Sequence, residues 1–380
     1  MLTHIRSGTV RLVATGSLLS LALVMTACGS SDSKPSSGSS KGGSAAAEPV
    51  KATNAPTDYF GPEKGKPAGY GIPKKKDGAG LTFGYLNITS ANETLNAIGK
   101  GFAAEGKAIG VKTIILDDQL KVDKQVSDFQ QLLAQGVDGI LVNPLDNKAL
   151  APLLKQAKAK NVPVIGMDIT QGSAPLPEGY ASQIWRGRDH EAFGQVKLVA
   201  DAQPGAKVGA INIAQPVPGP LYQMKRVETY WAQKFGLTVL GEQLNQTDDA
   251  AGGQLVANPL LSKYPDLNAF IAYNDPSAVG AVAAARANGR KVVSVGDNGS
   301  SDGIDGVKNG ILLGTFQQDS VGQGAMAILG LYDAATNQNM PLPPTILRVS
   351  KLVTKDTVSG IATWEDQAKA IEQGEVGAGL

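Results

Sequence analysis

The chain has 380 residues, with 35 Lys plus Arg against 34 Asp plus Glu and a formal net charge of +1. That balance excludes a general nucleic-acid binder, which carries a basic patch or stripe. One cysteine and two histidines, His4 and His190, exclude an internal disulfide framework and a thiolate or multi-histidine metal cage, so no metal or other cofactor is expected. With 42% hydrophobic residues there is ample material for sizeable cores, and the length suggests two domains.

At the start, Arg6 and Arg11 supply a basic region ahead of an apolar run at 12–24, and the small residues Thr26 and Ala27 stand just before Cys28. The pattern reads as an export signal over residues 1–27. Its apolar run is shorter than the ~20 residues that span a bilayer. Met25-Thr26-Ala27-Cys28 resembles a bacterial lipobox, with Met25 where leucine is usual. The resemblance implies lipidation of Cys28 and attachment to the cell membrane. Residues 28–79 follow as anchor and tether, first rich in Ser, Gly, Lys and Ala, then in Pro and Lys, with little to bury.

From Leu81 the chain alternates short apolar runs with helix-length amphipathic segments. Strands are predicted at 81–86, 111–116, 139–142 and 162–167, with helices at 96–109, 122–134 and 149–159 between them. After a join near 182–188 the pattern repeats: strands at 207–213, 238–244, 269–273, 292–295 and 312–316, helices at 221–235, 251–262, 278–287, 302–309 and 322–335. Strands separated by helices argue for parallel sheets covered on both faces, here two successive doubly wound α/β units. Trp364, Ala368 and Ile371 are spaced for one further amphipathic helix in a C-terminal extension over 357–380.

In doubly wound sheets ligands bind outside the carboxyl ends of the strands. Those ends are dense in amides and carboxylates: Asn87 to Asn92, Asn143 to Asn147, Asp168, Asn274-Asp275, Asp297-Asn298 and Gln317 to Asp319. Turns favour Asn and Asp on their own account. The whole set at corresponding positions points instead to a polar cleft that hydrogen-bonds a neutral, hydroxyl-rich ligand.

Five blocks, GILVNPLDNKAL (139–150), NVPVIGMDIT (161–170), YPDLNAFIAYNDPSAVGA (264–281), VVSVGDNGSSDG (292–303) and LLGTFQQD (312–319), resemble the ribose-binding family of type I periplasmic binding proteins. The resemblance spans about residues 80–356. It implies two Rossmann-like lobes joined by a three-segment hinge, with 80–184 plus 319–347 in the first lobe and 185–318 plus 348–356 in the second. It also implies a monomer that carries a sugar or polyol to an ABC transporter permease, with hinges near 182–186, 318–320 and 346–350.

Carried over by position, Asn143 and Asp168 match ligand contacts of the first lobe, and Arg226, Asn274 and Gln318 match contacts of the second lobe or hinge. Asn298 matches a usual aspartate, a role that Asp297 takes if the register slips by one. Where the family often has an Asn followed by two aromatics, this chain reads Ala91-Asn92-Glu93-Thr94; Ile169 replaces a usual arginine and Asp248 a second aromatic. Trp185 and Tyr222 are the candidates to supply a missing stacking ring. Trp231 reads as core, and Arg186 and Arg188 either as ligand groups or, the favoured reading, as solvated loop charges. The candidate set is therefore Asn92, Asn143, Asp168, Trp185, Arg226, Asp248, Asn274, Asp297, Asn298 and Gln318.

Other classes compete. Glu93 and Asp248 leave open an amine-bearing or cyclic-polyol ligand, and a receptor that binds or senses another small polar ligand, a nucleoside, an amine or a quorum-type molecule, shares this fold. A sugar-responsive repressor needs a helix-turn-helix where this chain has an export signal and tether. For an enzyme there is no G-x-S-x-G elbow, P-loop or H-E-x-x-H motif.

Overall fold

The computed structural model describes residues 78–170, 174–336 and 342–373. The expected export signal, Cys28 and nearly all of the tether lie outside the described residues. The first half of the chain forms β1 (Thr82–Asn87), α1 (Glu93–Ile109), β2 (Lys112–Asp117), α2 (Val122–Ala134), β3 (Gly139–Val142), α3 (Asn147–Ala159), β4 (Val164–Met167) and β5 (Ser182–Trp185). Next come α4 (Arg188–Ala202), β6 (Lys207–Ile213), α5 (Pro218–Arg226), a π-helical turn at Val227–Trp231, α6 (Ala232–Lys234), β7 (Thr238–Asn245), α7 (Ala250–Lys263), β8 (Ala269–Ala272), α8 (Asp275–Ala287) and β9 (Val293–Val295). The remainder is α9 (Ser301–Lys308), β10 (Gly314–Gln317), α10 (Ser320–Thr336), β11 (Thr345–Leu347), β12 (Lys351–Thr354) and α11 (Trp364–Glu372).

One sheet has the order β11-β5-β4-β3-β1-β2 and a second β7-β6-β8-β9, both parallel; β10 and β12 form an antiparallel ribbon. In each sheet the strand order reverses at the first strand of its unit, β1 or β6, the arrangement that opens a crevice at the strands' carboxyl ends. The central strands β3, β4 and β8 are buried throughout, as expected for parallel strands covered on both faces. In the first lobe, Phe83, Tyr85, Phe102 and Leu141 fill one side and Leu86, Phe129, Leu132 and Ile140 the other.

Two glycines set the position of α10. A Cβ at Gly101 would meet the Val321 carbonyl oxygen at 1.9 Å, and one at Gly324 would meet the Ile98 carbonyl oxygen at 2.0 Å. Helices α1 and α10 therefore touch backbone to backbone, which brings the first turn of α10 to the open end of the sheet.

The chain passes between the lobes after β5, between β10 and α10, and between β11 and β12. The extension then crosses back. Val358 packs in the second lobe's core, whereas Ala368 and Ile371 of α11 pack with Ala97, Ala104, Val321 and Ala325 of the first. Lys100–Glu365 at 2.6 Å and Lys107–Glu372 at 2.9 Å pin α11 to α1. The Trp364 indole donates to the Gln318 carbonyl oxygen at 3.2 Å. Four elements were not foreseen in the sequence: β5, read only as part of a join, the whole of α4, and the short strands β11 and β12 on either side of the last hinge.

Candidate functional site

The carboxyl ends of the two sheets face each other across one cavity. It is lined from the first lobe by Ile88, Asn92, Leu95, Ile98, Asn143 and Asp168, and from the second by Ile213, Val217, Asp248, Tyr273 and Asn298. Arg186, Arg188, Gln318 and Gln323 complete it at the hinge. Its space, counting the open mouth, is about 610 Å³.

The lobes meet at the rim. Asn92 is the N-cap of α1: its Oδ1 accepts from the Thr94 and Leu95 amides at 2.9 and 3.2 Å, while its Nδ2 donates to Asp248 across the cleft at 2.7 Å. Asp248 also accepts from the Tyr273 hydroxyl at 2.6 Å and Asn274 Nδ2 at 2.7 Å. Burial raises the Asp248 pKa, against the opposing effect of the bonds from Tyr273, Asn92 and Asn274. Asn274 likewise divides its amide, capping α8 through the Ser277 amide at 2.9 Å. Nearer the mouth, Glu93 accepts from the backbone and hydroxyl of Ser301.

The floor is charged. Arg186 donates from Nε to Glu191 at 3.0 Å and from its terminal nitrogens to Asp297, Glu191 and Asn298. Arg188 donates to Asp168 at 2.7 Å and to Gln223 at 2.7 Å. Burial works against the charged form of Arg186, but Asp297, Glu191 and Asp168 outweigh it and hold the guanidinium more firmly protonated than an exposed arginine. Gln223 continues the chain to Gln195, which donates to the Ala272 and Gly296 carbonyl oxygens at 2.8 and 3.0 Å. The floor is thus hydrogen-bonded through to the second sheet.

Backbone geometry marks the same place. Six described non-glycine residues have positive φ, and three of them are Asp168 (46°), Asp248 (61°) and Asn298 (98°). Asp and Asn tolerate this region best, and such conformations cluster at ligand sites, where the surrounding fold holds them.

Of the ten residues expected in the site, Asn92, Asn143, Asp168, Asp248, Asn298 and Gln318 line the cavity. Asn274 and Asp297 stand behind it, fully buried, as partners of Asp248 and Arg186. Two expectations are corrected. Arg226 lies outside the cavity, bonded to Asp189 at 2.7 Å with its guanidinium 4.0 Å above the Tyr230 ring. Trp185 is buried edge-on against Tyr222 at 5.6 Å, and neither ring lines the cavity; the π-helical turn and α5 turn this face away from the cleft.

A third correction concerns Arg186 and Arg188. They are only 3% and 6% exposed, and they hold the floor rather than a solvated loop. The guanidinium that Ile169 fails to provide beside Asp168 arrives instead from Arg188 at the start of α4, with Arg186 just after β5. Trp231 is buried, as expected, and also donates to Asp189 at 2.7 Å. Sequence reasoning missed Glu191, Gln223 and Gln323. The only signal for Gln323 was an amide among the small and apolar residues of α10.

These features define a two-lobed solute-binding protein, with its site between the carboxyl ends of two parallel sheets. The model of the periplasmic binding protein domain matches residues 83–339, and the chain belongs to that family of non-enzymatic transport components. It is 32% identical over 261 residues to the ribose import binding protein of Bacillus subtilis, covering 68% of this chain and 81% of the relative. It is 27% identical over 303 residues to a xylitol-binding protein of Mycolicibacterium smegmatis, covering 74% and 83%. Among solved structures, an ABC transporter solute-binding protein of Burkholderia graminis in complex with D-arabinose shares the fold, with a TM-score of 0.68 at 20% identity over 76% of this chain and 100% of that one.

Proposed function

We propose that the chain captures a monosaccharide or polyol in the interlobe cleft and delivers it to the permease of an ABC importer, held to the outer face of the cell membrane by a lipid on Cys28. The observation that carries this reading is the cavity wall: neutral amides of Asn92, Asn143, Asn298 and Gln318 line one cavity from both lobes and the hinge. Amides both donate and accept, as hydroxyls do, so each ligand hydroxyl has a partner when the lobes close. The carboxylates of the cleft are already engaged: Asp168 by Arg188, Asp248 by Asn92, Tyr273 and Asn274, and Glu93 by Ser301. A ligand amine would have to displace one of these bonds, which favours a neutral solute.

Opening would turn about the three interlobe passages, and ligand that bridges both lobes shifts the population toward the closed form. The test is a thermal-shift and calorimetric panel of D-ribose, xylitol, D-allose, L-arabinose and myo-inositol, with nucleosides and amines as controls. A sugar at a hundred times its Kd stabilises by ~2.7 kcal/mol. Stabilisation by nucleosides or amines alone would overturn the sugar reading.

A further inference from the structure

Among the described residues that line the cavity, Gln323 is the one whose side-chain polar atoms are buried and without a hydrogen-bond partner. It is fully buried, and neither its Oε1 nor its Nε2 has a hydrogen-bond partner. Neighbouring polar side chains of the wall are occupied: Asn92 by Asp248, Asn298 by Arg186 and Gln318, and Asp168 by Arg188. A buried unpaired amide group costs on the order of 1–3 kcal/mol, and here both ends of one side chain are unpaired. The neighbours on α10, Val321, Gly322, Gly324 and Ala325, are small or apolar. Any of several apolar residues would suit the packing better than glutamine.

The close approach of α1 and α10 at Gly101 and Gly324 determines where this amide sits. It enters the cavity beside Ile98, on the first-lobe side near the hinge. Its surroundings in the wall are aliphatic (Ile88, Leu95, Ile98, Met167), and Tyr273 is the one aromatic residue among those lining the cavity. A ligand here is therefore oriented by polar contacts and aliphatic walls rather than by an aromatic sandwich.

We propose that Gln323 is a specificity-determining ligand contact. Its amide pairs with a ligand edge that offers a donor and an acceptor side by side, either two neighbouring hydroxyls or a hydroxyl beside a ring oxygen. The inference rests on the solute-binding reading above and assigns a residue that none of the motifs in the sequence marked. A site built to pair such an edge strongly rejects analogues that lack it, because the amide is then left unpaired in a closed cavity.

The experiment compares the full chain with Q323M and Q323L in two measurements. The first is the melting temperature without ligand. The second is calorimetric affinity for whichever of D-ribose, xylitol, D-allose, L-arabinose and myo-inositol the wild type binds most tightly. The expected result is an affinity loss of about tenfold or more with a melting temperature unchanged or raised by about 1–3 °C. Unchanged affinity in both variants overturns the proposal. So does a melting temperature that falls in both, since that is the behaviour of an internally paired structural glutamine. If none of the five sugars binds the wild type, the sugar reading fails separately. The sign of the melting shift still judges Gln323: a rise supports an amide kept for a ligand, and a fall overturns it.

Discussion

At the floor of the cleft two arginines are paired with three carboxylates, whereas along the walls stand neutral amides. The floor cluster is also attached to each interlobe passage. Arg186 and Arg188 sit on the first, Gln318 bonds to Asn298 from the second, Ser350 on the third donates to Glu191, and Arg348 pairs with Asp319 between the last two. Charges that are satisfied internally fix geometry and have little left to offer a solute. Asn92 on the wall and Asn274 behind it each cap a helix with Oδ1 and donate Nδ2 to Asp248. The cleft thus separates a charged floor from a wall of neutral amides.

The sharpest way to break this comparison is Glu191→Ala. It removes the carboxylate that takes three hydrogen bonds from Arg186, leaving a buried cation short of a partner. The expected loss is about 3–5 kcal/mol by urea unfolding; a loss under about 1 kcal/mol would mean the floor contributes little to the fold. Asp248→Ala comes next. It leaves Tyr273, Asn274 and Asn92 without their shared acceptor and removes the bridge across the rim. Sugar affinity should fall by about tenfold or more, and small-angle scattering should show a more open chain. An unchanged radius of gyration would place closure elsewhere.

A smaller effect comes from Asp275, fully buried at the start of α8, whose pKa burial pushes up to about 8 despite bonds from Thr315 and Ser300. The folded state holds this proton more tightly than the unfolded chain. Its contribution to stability is therefore greatest at low pH and falls as pH rises from the ordinary carboxylate value of 3.8 toward about 8. Asp275→Asn should flatten the decline by on the order of 1 kcal/mol between pH 5 and pH 8, read from melting curves. Equal slopes in both proteins would show that the group is ionised throughout. The smallest effect belongs to Arg226→Ala: its pair with Asp189 is partly exposed and outside the cavity, so stability should change by less than about 1 kcal/mol and sugar affinity not at all. A large affinity loss would return Arg226 to the site and undo the distinction between cleft and outer face.

Most strands and helices were legible because their burial follows the periods of two and 3.6 that side-chain direction imposes. Helix α4 was not, and its residues explain why. Arg188, Glu191 and Gln195 occupy its buried face, where an amphipathic pattern calls for apolar residues. Local rules fail most where a fold carries function, and here the failure coincided with the floor of the cleft. The same reason misplaced Arg186 and Arg188: a charged residue is expected in solvent unless its partners are known, and those partners lie on strands and helices distant in sequence.

The sequence by itself determined the alternation of strand and helix, the family, and the Asn and Asp at strand ends that open the cleft, since each follows from short-range pattern or from motifs read in order. Only the tertiary structure decided which polar groups use one another and which remain for a solute. Pairings such as Asn92 with Asp248, 156 positions apart, and Arg186 with Asp297, 111 apart, exist only once two sheets have been brought face to face. Gln323 stands out only against them, because an unpaired amide is defined by the absence of a neighbour, and neighbours are a property of the fold.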